Sequence, residues 1–293
     1  MLSSPTPTPD PLAIALGQKA ATGGPGTNVG TTVAAGDGWR VVDVVCTSGP
    51  DDRPFEERQG STSISLVLSG TFVYRSDRGA SLMSPGSMVL GNAGQAFECS
   101  HEHGEGDRCL SFQFAPDLLE RLAHDGGVAR AGFGAHRLPP LRSLAPLTAR
   151  AALAIERRDS FEEIALKLGA AVLRLAAEPR REAPATTPDP ARIARVLRLL
   201  ESSALEPHPL ADLARTAGLS RYHFLRTFRA VTGVTPHQWL LRARLHAAAR
   251  RLVTRRDPVT EIALDVGFDD LSNFIRSFRA EFGVSPSRYR VSG

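Results

Sequence analysis

Apolar and polar positions alternate in two different periods along this chain, and the change of period divides it. From Trp39 to about Ala115 the text is WRVVDVVC, SISLVLSGTFVYRS, ASLMSPGSMVLG, AFECS and CLSFQFA, short β-branched runs broken every eight to twelve residues. Such alternation predicts an antiparallel barrel or sandwich, with Ser69-Gly70 and Pro85-Gly86 as turns inside it. Residues 117 to 125 and 141 to 178 switch to three- and four-residue apolar spacing, which predicts amphipathic helices, and Ser160 with Glu163 has the form of a capping box. These helices either form a packing or dimer surface or cover an open barrel end.

Before residue 37 the chain is rich in Pro, Thr, Ser, Gly and Ala without sustained period, and it reads as a disordered leader over 1–36. EPRREAPATTPDP, residues 178–190, has the composition of a linker. The expected organisation is therefore a leader, a β-rich domain with appended helices over 37–177, the linker, and an all-helical domain over 191–293.

In that last domain the helical pattern is written twice. FLRTFRAVTGVTPHQW at 224–239 matches FIRSFRAEFGVSPSRY at 274–289 with an offset of 50, and LARTAGL at 213–219 faces IALDVGF at 262–268 after a one-residue slip. A repeat whose slip falls in a turn is two copies of one supersecondary unit. Each copy reads as a supporting helix, a Gly turn and a second helix. Phe224, Leu225 and Phe228 lie to one face of the first copy's second helix, with Arg221, Tyr222, Arg226 and Arg229 toward the other. Leu271 to Phe282 is the corresponding helix of the second copy. Pro236 opens a long helix to about Val253 that should bridge the two.

Charge sharpens the division. The net charge of +4 is uneven, since residues 191–293 hold 17 Arg, no Lys and 9 acids, while the first 190 hold 18 basic residues against 22 acids. A basic domain beside a mildly acidic one suits a protein that grips a polyanion at one end, although Arg-rich text also follows genomic base composition. No apolar run is long enough for a membrane helix, and no basic leader precedes the first apolar stretch, so a cytoplasmic chain is expected.

The run of LADLARTAGLSRYHFLRTFRAVTGVTPHQWLLRARLHAAARRL and EIALDVGFDDLSNFIRSFRAEFGVSPSRYR resembles the AraC/XylS family of bacterial transcription regulators over about residues 190–290. The β-rich half is similar to that family's cupin-like effector and dimerisation domains. The resemblance implies an α+β protein of two domains, a cupin-like β-barrel followed by a double helix-turn-helix. Double-stranded DNA is the implied partner, with a homodimer, contact with RNA polymerase and activation of transcription as the family's habit. Base-reading roles carry over to Tyr222, Leu225 and Arg226 in the first copy and to Leu271, Ser272, Asn273 and Arg276 in the second. Arg221, Arg229 and Arg279 are better placed for phosphate, which positions without specifying.

The densest polar cluster is FECSHEHGEGDRC at 97–109. If the strand there continues, Cys99, His101 and His103 share a face, with Cys46 and Cys109 from other strands. Thiolate and imidazole together suit zinc or copper. The same residues also fit thiol redox sensing, or a core holding small buried cysteines beneath a solvated His-Glu-His loop. A small organic ligand in the barrel is a further possible effector.

Enzyme readings fare worse. In cupin enzymes the metal-binding His-x-His precedes the Pro-Gly turn, but EERQGSTSISLVLSG holds no His and HEH falls after Pro85-Gly86. A DNA-repair methyltransferase fused to a similar DNA-binding half would need four clustered thiolates, and there are three cysteines. No phosphate-cradling loop or nucleophile-base pair is evident. A cupin-type enzyme is the least favoured alternative, and no enzyme activity is expected.

Overall fold

The computed structural model describes residues 10–157, 160–177 and 190–291. Strands β1 (Asn28–Gly36), β2 (Trp39–Cys46), β3 (Phe55–Arg58), β4 (Thr62–Gly70), β5 (Phe72–Ser76), β6 (Gly79–Met83), β7 (Met88–Gly91), β8 (Ala96–Ser100), β9 (Asp107–Phe114) and β10 (Arg137–Leu138) follow a first helix, α1 (Pro11–Thr22). They form two sheets, one ordered β1-β2-β9-β4-β7-β10 and one β3-β8-β5-β6. The expected barrel is thus two sheets, and among the described residues no strand ladder joins them into a closed cylinder.

Period-two alternation decides what each face meets. In β4, Leu66 joins a core with helices behind the larger sheet while its neighbour Val67 points into the gap between the sheets. Leu110 and Cys109 of β9 divide in the same way. Between the sheets lie Val67, Val89 and Cys109 against Phe72, Tyr74, Met83 and Cys99. Behind the larger sheet pack α2 (Pro116–Asp125), α3 (Ala145–Arg157) and α4 (Phe161–Ala176), with Ile164, Leu168, Val172 and Leu173 of α4 wholly buried. These helices cover one face of the larger sheet. Ser160 makes no side-chain cap, and the Glu163 carboxylate pairs with Arg150 and Lys167 rather than reaching back to the start of α4.

The leader reading fails over its described part. Asp10 caps α1 by accepting from the Leu12 amide, and Lys19 donates to the Thr47 carbonyl and pairs with Asp52 at 2.8 Å. Strand β1 pairs along β2 from Asn28↔Cys46 to Gly36↔Trp39, so the ordered domain begins well before residue 37. Residues 1–9 and, apart from Pro190, the linker 178–190 lie outside the described residues.

The helical half holds α5 (Pro190–Ser202), α6 (Leu210–Ala217), α7 (Arg221–Thr232), α8 (Pro236–Thr254), α9 (Val259–Asp265), α10 (Leu271–Phe282) and α11 (Pro286–Val291). Its two copies have separate cores. Ile193, Leu197, Leu213, Phe224, Phe228 and Trp239 build the first, and Leu245, Leu252, Ile262, Phe274, Phe278 and Phe282 the second. Helix α8 contributes to both and so bridges them. Among the described residues no helix is long and apolar enough to cross a membrane.

Candidate nucleic-acid interface and the thiol-imidazole cluster

Local chemistry starts and stops α7 and α10, the second helices of the two copies, in the same places. Ser220 caps α7 by accepting from the His223 amide, and Asp270 caps α10 by accepting from the amides of Ser272 and Asn273. Both end on a glycine in the left-handed region, Gly233 and Gly283, each with φ of 79°. Phe224 and Phe228, like Phe274 and Phe278, are fully buried, which turns the remaining arc of each helix outward.

That outward arc carries every sequence-predicted DNA contact. Arg221, Tyr222, Leu225, Arg226 and Arg229 are exposed on α7, as are Leu271, Ser272, Asn273, Arg276 and Arg279 on α10. Tyr222 is 77% exposed, and Leu225 and Leu271 are each 37% exposed, beside the arginines of the same faces. Tyr222, Leu225, Arg226, Arg229 and Ala230 line a shallow open concavity on α7, and Ser272, Ile275, Arg276, Arg279 and Ala280 line one on α10. The two sets coincide position for position at the offset of 50. Ile275, 38% exposed, was missing from the sequence reading, and its alignment with Leu225 was the signal that would have found it.

The C-terminal ends of these helices meet the β-rich half. Arg137 donates to the Val231 carbonyl at 3.0 Å in the last turn of α7, and Arg142 to the Ala280 carbonyl at 2.9 Å in the last turn of α10. Cations at helix C-termini complement the aligned peptide dipoles. Arg242 of α8 donates to the Pro140 carbonyl and pairs with Glu281 at 3.3 Å. One short segment, 137–142, therefore touches α7, α10 and the helix α8 between them. Val73 of β5 and Leu82 of β6 also belong to the apolar core of the first copy.

The cysteine-histidine residues divide into those the fold gathers and those it does not. Strand β8 stops at Ser100, so the alternation expected of Cys99, His101 and His103 is not realised. Cys46 at the end of β2, His101 after β8 and Asp107 at the start of β9 come together, one donor atom from each lying within 4.8 Å of the others. His101 Nε2 and Asp107 Oδ1 are 2.7 Å apart, and Cys109 donates to Asp107 Oδ2 at 3.2 Å. Cys99 sits in the intersheet core, and His103 is partly exposed, 3.9 Å from Glu102. Asp107 comes beside Cys46 through the Cys46↔Asp107 pairing of β2 with β9, a long-range contact.

Electrostatics separates these groups further. Burial pushes the thiols of Cys99 and Cys109 well up, with the Asp107 charge adding to it, so neither is a ready thiolate at neutral pH. Burial also works against a charged His101, but the hydrogen bond to Asp107 and the neighbouring Cys46 outweigh it and hold the imidazole at about 9.

Comparison with known proteins bears on the helical half. A helix-turn-helix domain family matches residues 213–292. The regulator LumQ of Photobacterium leiognathi is 33% identical over 107 residues, 35% of this chain and 43% of LumQ, so the match spans less than half of that relative. The transcriptional activator AarP of Providencia stuartii is 34% identical over 100 residues, 34% of this chain and 74% of AarP. Among solved structures, the DNA-binding domain of AdpA in complex with a target DNA is 35% identical, covering 34% of this chain and 91% of that one, with a TM-score of 0.33. With most of AarP's length matched by the double helix-turn-helix whose geometry is described above, the chain belongs to the AraC family of transcriptional regulators.

Proposed function

We propose that the chain is a sequence-specific DNA-binding regulator, an activator by family habit, whose α7 and α10 enter successive major grooves on one face of the duplex. The observation that carries this reading is the coincidence of the two exposed faces, five equivalent positions on each helix with an arginine pair in both. A helix face that keeps Tyr222 and Leu225 in water while burying its phenylalanines is built for a partner surface, and guanidinium forks match guanine edges and phosphates. The β-rich half, cupin-like in this reading, senses an effector and serves as the dimerisation domain, with the boundary within 178–190. Its segment 137–142 is positioned to transmit the sensed state, since only a difference in contact between two arrangements can shift DNA binding. A DNA partner places the chain in the cytoplasm, and RNA polymerase is the partner expected of an activator.

Footprinting of the full chain on the DNA upstream of its own gene tests the reading. The expected result is two protected zones about one helical turn apart on one face. Arg226→Ala should remove protection from one zone and Arg276→Ala from the other. Equal affinity for that DNA and for random duplex would overturn the proposal.

A further inference from the structure

We propose that Cys46, His101 and Asp107 bind a divalent thiophilic metal ion, with zinc the best fit to the donors. All three are buried, at 3%, 4% and 5% exposure, and their donor atoms already lie within 4.8 Å of one another. Gathering a thiol, an imidazole and a carboxylate away from water is unfavourable unless each finds a partner. Asp107 does, through His101 Nε2 and the Cys109 thiol. His101 Nδ1 does not: it is buried and makes no hydrogen bond. A cation held between the Cys46 sulfur, an imidazole nitrogen of His101 and the Asp107 carboxylate would take the place of the proton that Asp107 now shares with His101, and it would give the thiolate, the imidazole and the carboxylate one common partner.

The donor set also selects among cations. One sulfur, one nitrogen and one oxygen suit a borderline ion such as Zn²⁺; the carboxylate is a poor donor to Cu(I), and the thiolate excludes Mg²⁺ and Ca²⁺. Binding releases two protons, one from the Cys46 thiol and one from the His101 imidazolium, so a thiolate, a neutral imidazole and a carboxylate hold the ion and the occupied site carries no net charge into the interior. Cys109, donating to Asp107, would orient that ligand from behind. Three protein donors leave a fourth position for water or another small donor.

The surroundings are arranged for a closed but reachable site. A side chain at Gly106, which has φ of 66°, would lie 2.7 Å from the Cys46 carbonyl and 2.8 Å from Leu12 Cδ1, so glycine there lets the 101–106 loop close under α1. His103 and Glu102 stand on the outer side of that loop. As an effector the ion would deepen the regulator reading, on which its regulatory meaning rests. The two fail separately, because a chain that takes up no metal but still footprints its DNA loses only this inference.

Full-length protein purified under reducing conditions without chelator should contain stoichiometric zinc by elemental analysis. Replacement by Co²⁺ should give the thiolate-to-metal charge-transfer band that a cysteine ligand produces. Cys46→Ser should abolish that band, and His101→Ala should lose the metal, while Cys99→Ser and His103→Ala keep both. A wild-type protein that takes up neither zinc nor cobalt, or whose cobalt form lacks the band, overturns the proposal. So does equal loss of metal in Cys99→Ser and His103→Ala. Should the Cys46 or His101 variants fail to fold by circular dichroism, the wild-type cobalt spectrum decides alone.

Discussion

At the residue scale, Arg276 is where base preference should be most open to measurement. Its Nη2 donates to Asn273 Oδ1 at 3.2 Å, and Ser277 reaches the same oxygen at 3.5 Å. The guanidinium is thus steered along the outer face of α10 before any DNA arrives, which reduces the rotamer freedom lost on binding. Arg276→Ala should weaken binding to the specific site by about 1–3 kcal/mol and relax preference at one base pair. Binding titrations on the site and on a scrambled duplex check this, and losses of equal size on both would reassign Arg276 to phosphate. Arg229 and Arg279, one turn further on and equally exposed, should behave in the opposite way. Replacing either by Ala should weaken specific and random DNA alike and lower the salt slope by about one. A base-dependent loss from either variant would contradict that division of labour.

At the scale of elements, the matched C-caps of α7 and α10 separate helix termination from domain docking. Gly233 and Gly283 share a left-handed φ of 79°, a conformation that costs a residue with a Cβ roughly 1 kcal/mol. An added Cβ at Gly283 meets nothing within 4 Å, whereas at Gly233 it falls 2.4 Å from Pro139 Cβ in the β-rich half. Gly283→Ala should therefore give only a small loss of thermal stability, and Gly233→Ala a larger one that raises hydrogen exchange in 137–142 as well. Matching behaviour of the two variants would mean that Pro139 yields freely. The reading helices were legible in the sequence because every signal for them is local: a polar cap, phenylalanines four apart and a closing glycine. The first helix and strand carried no such signal. In α1 only Leu12 is buried, and β1 is an edge strand of exposed and half-buried positions, so their order comes from Lys19, Asp52 and the ladder to β2. The capping box at Ser160 shows the reverse error, a local pattern that α4 does not use: Ser160 makes no side-chain cap, and the Glu163 carboxylate pairs with Arg150 instead.

At the scale of the whole molecule, the layers run from α3 and α4 through the larger sheet and the smaller sheet to the first helix-turn-helix, whose core Val73 and Leu82 complete. Such long-range meetings are why Cys46 and Asp107 could be paired only once the ladder between β2 and β9 was known, although both lie in stretches read as strands. The same ladder system leads to the DNA-binding half: Asp107 pairs with Gly70, and the Gly70 amide donates to Glu201 of α5 at 3.0 Å. Burial raises the Glu201 carboxyl from the usual 4.5 to about 7, with Asp10 adding to the rise and the Gly70 amide and Arg198 opposing it. A carboxyl raised in the docked state binds its proton more tightly there than when released. Its contribution to docking is then fully present below about pH 4.5 and is lost as pH climbs through about 7. Hydrogen exchange across residues 68–72, corrected for intrinsic rate, should accordingly show α5 loosening from β4 between about pH 6 and about pH 8. Glu201→Gln keeps an oxygen acceptor for the Gly70 amide but cannot ionise, so it should flatten that dependence and protect the segment at the alkaline end. An unchanged pH response in Glu201→Gln would place the titrating group elsewhere in the interface.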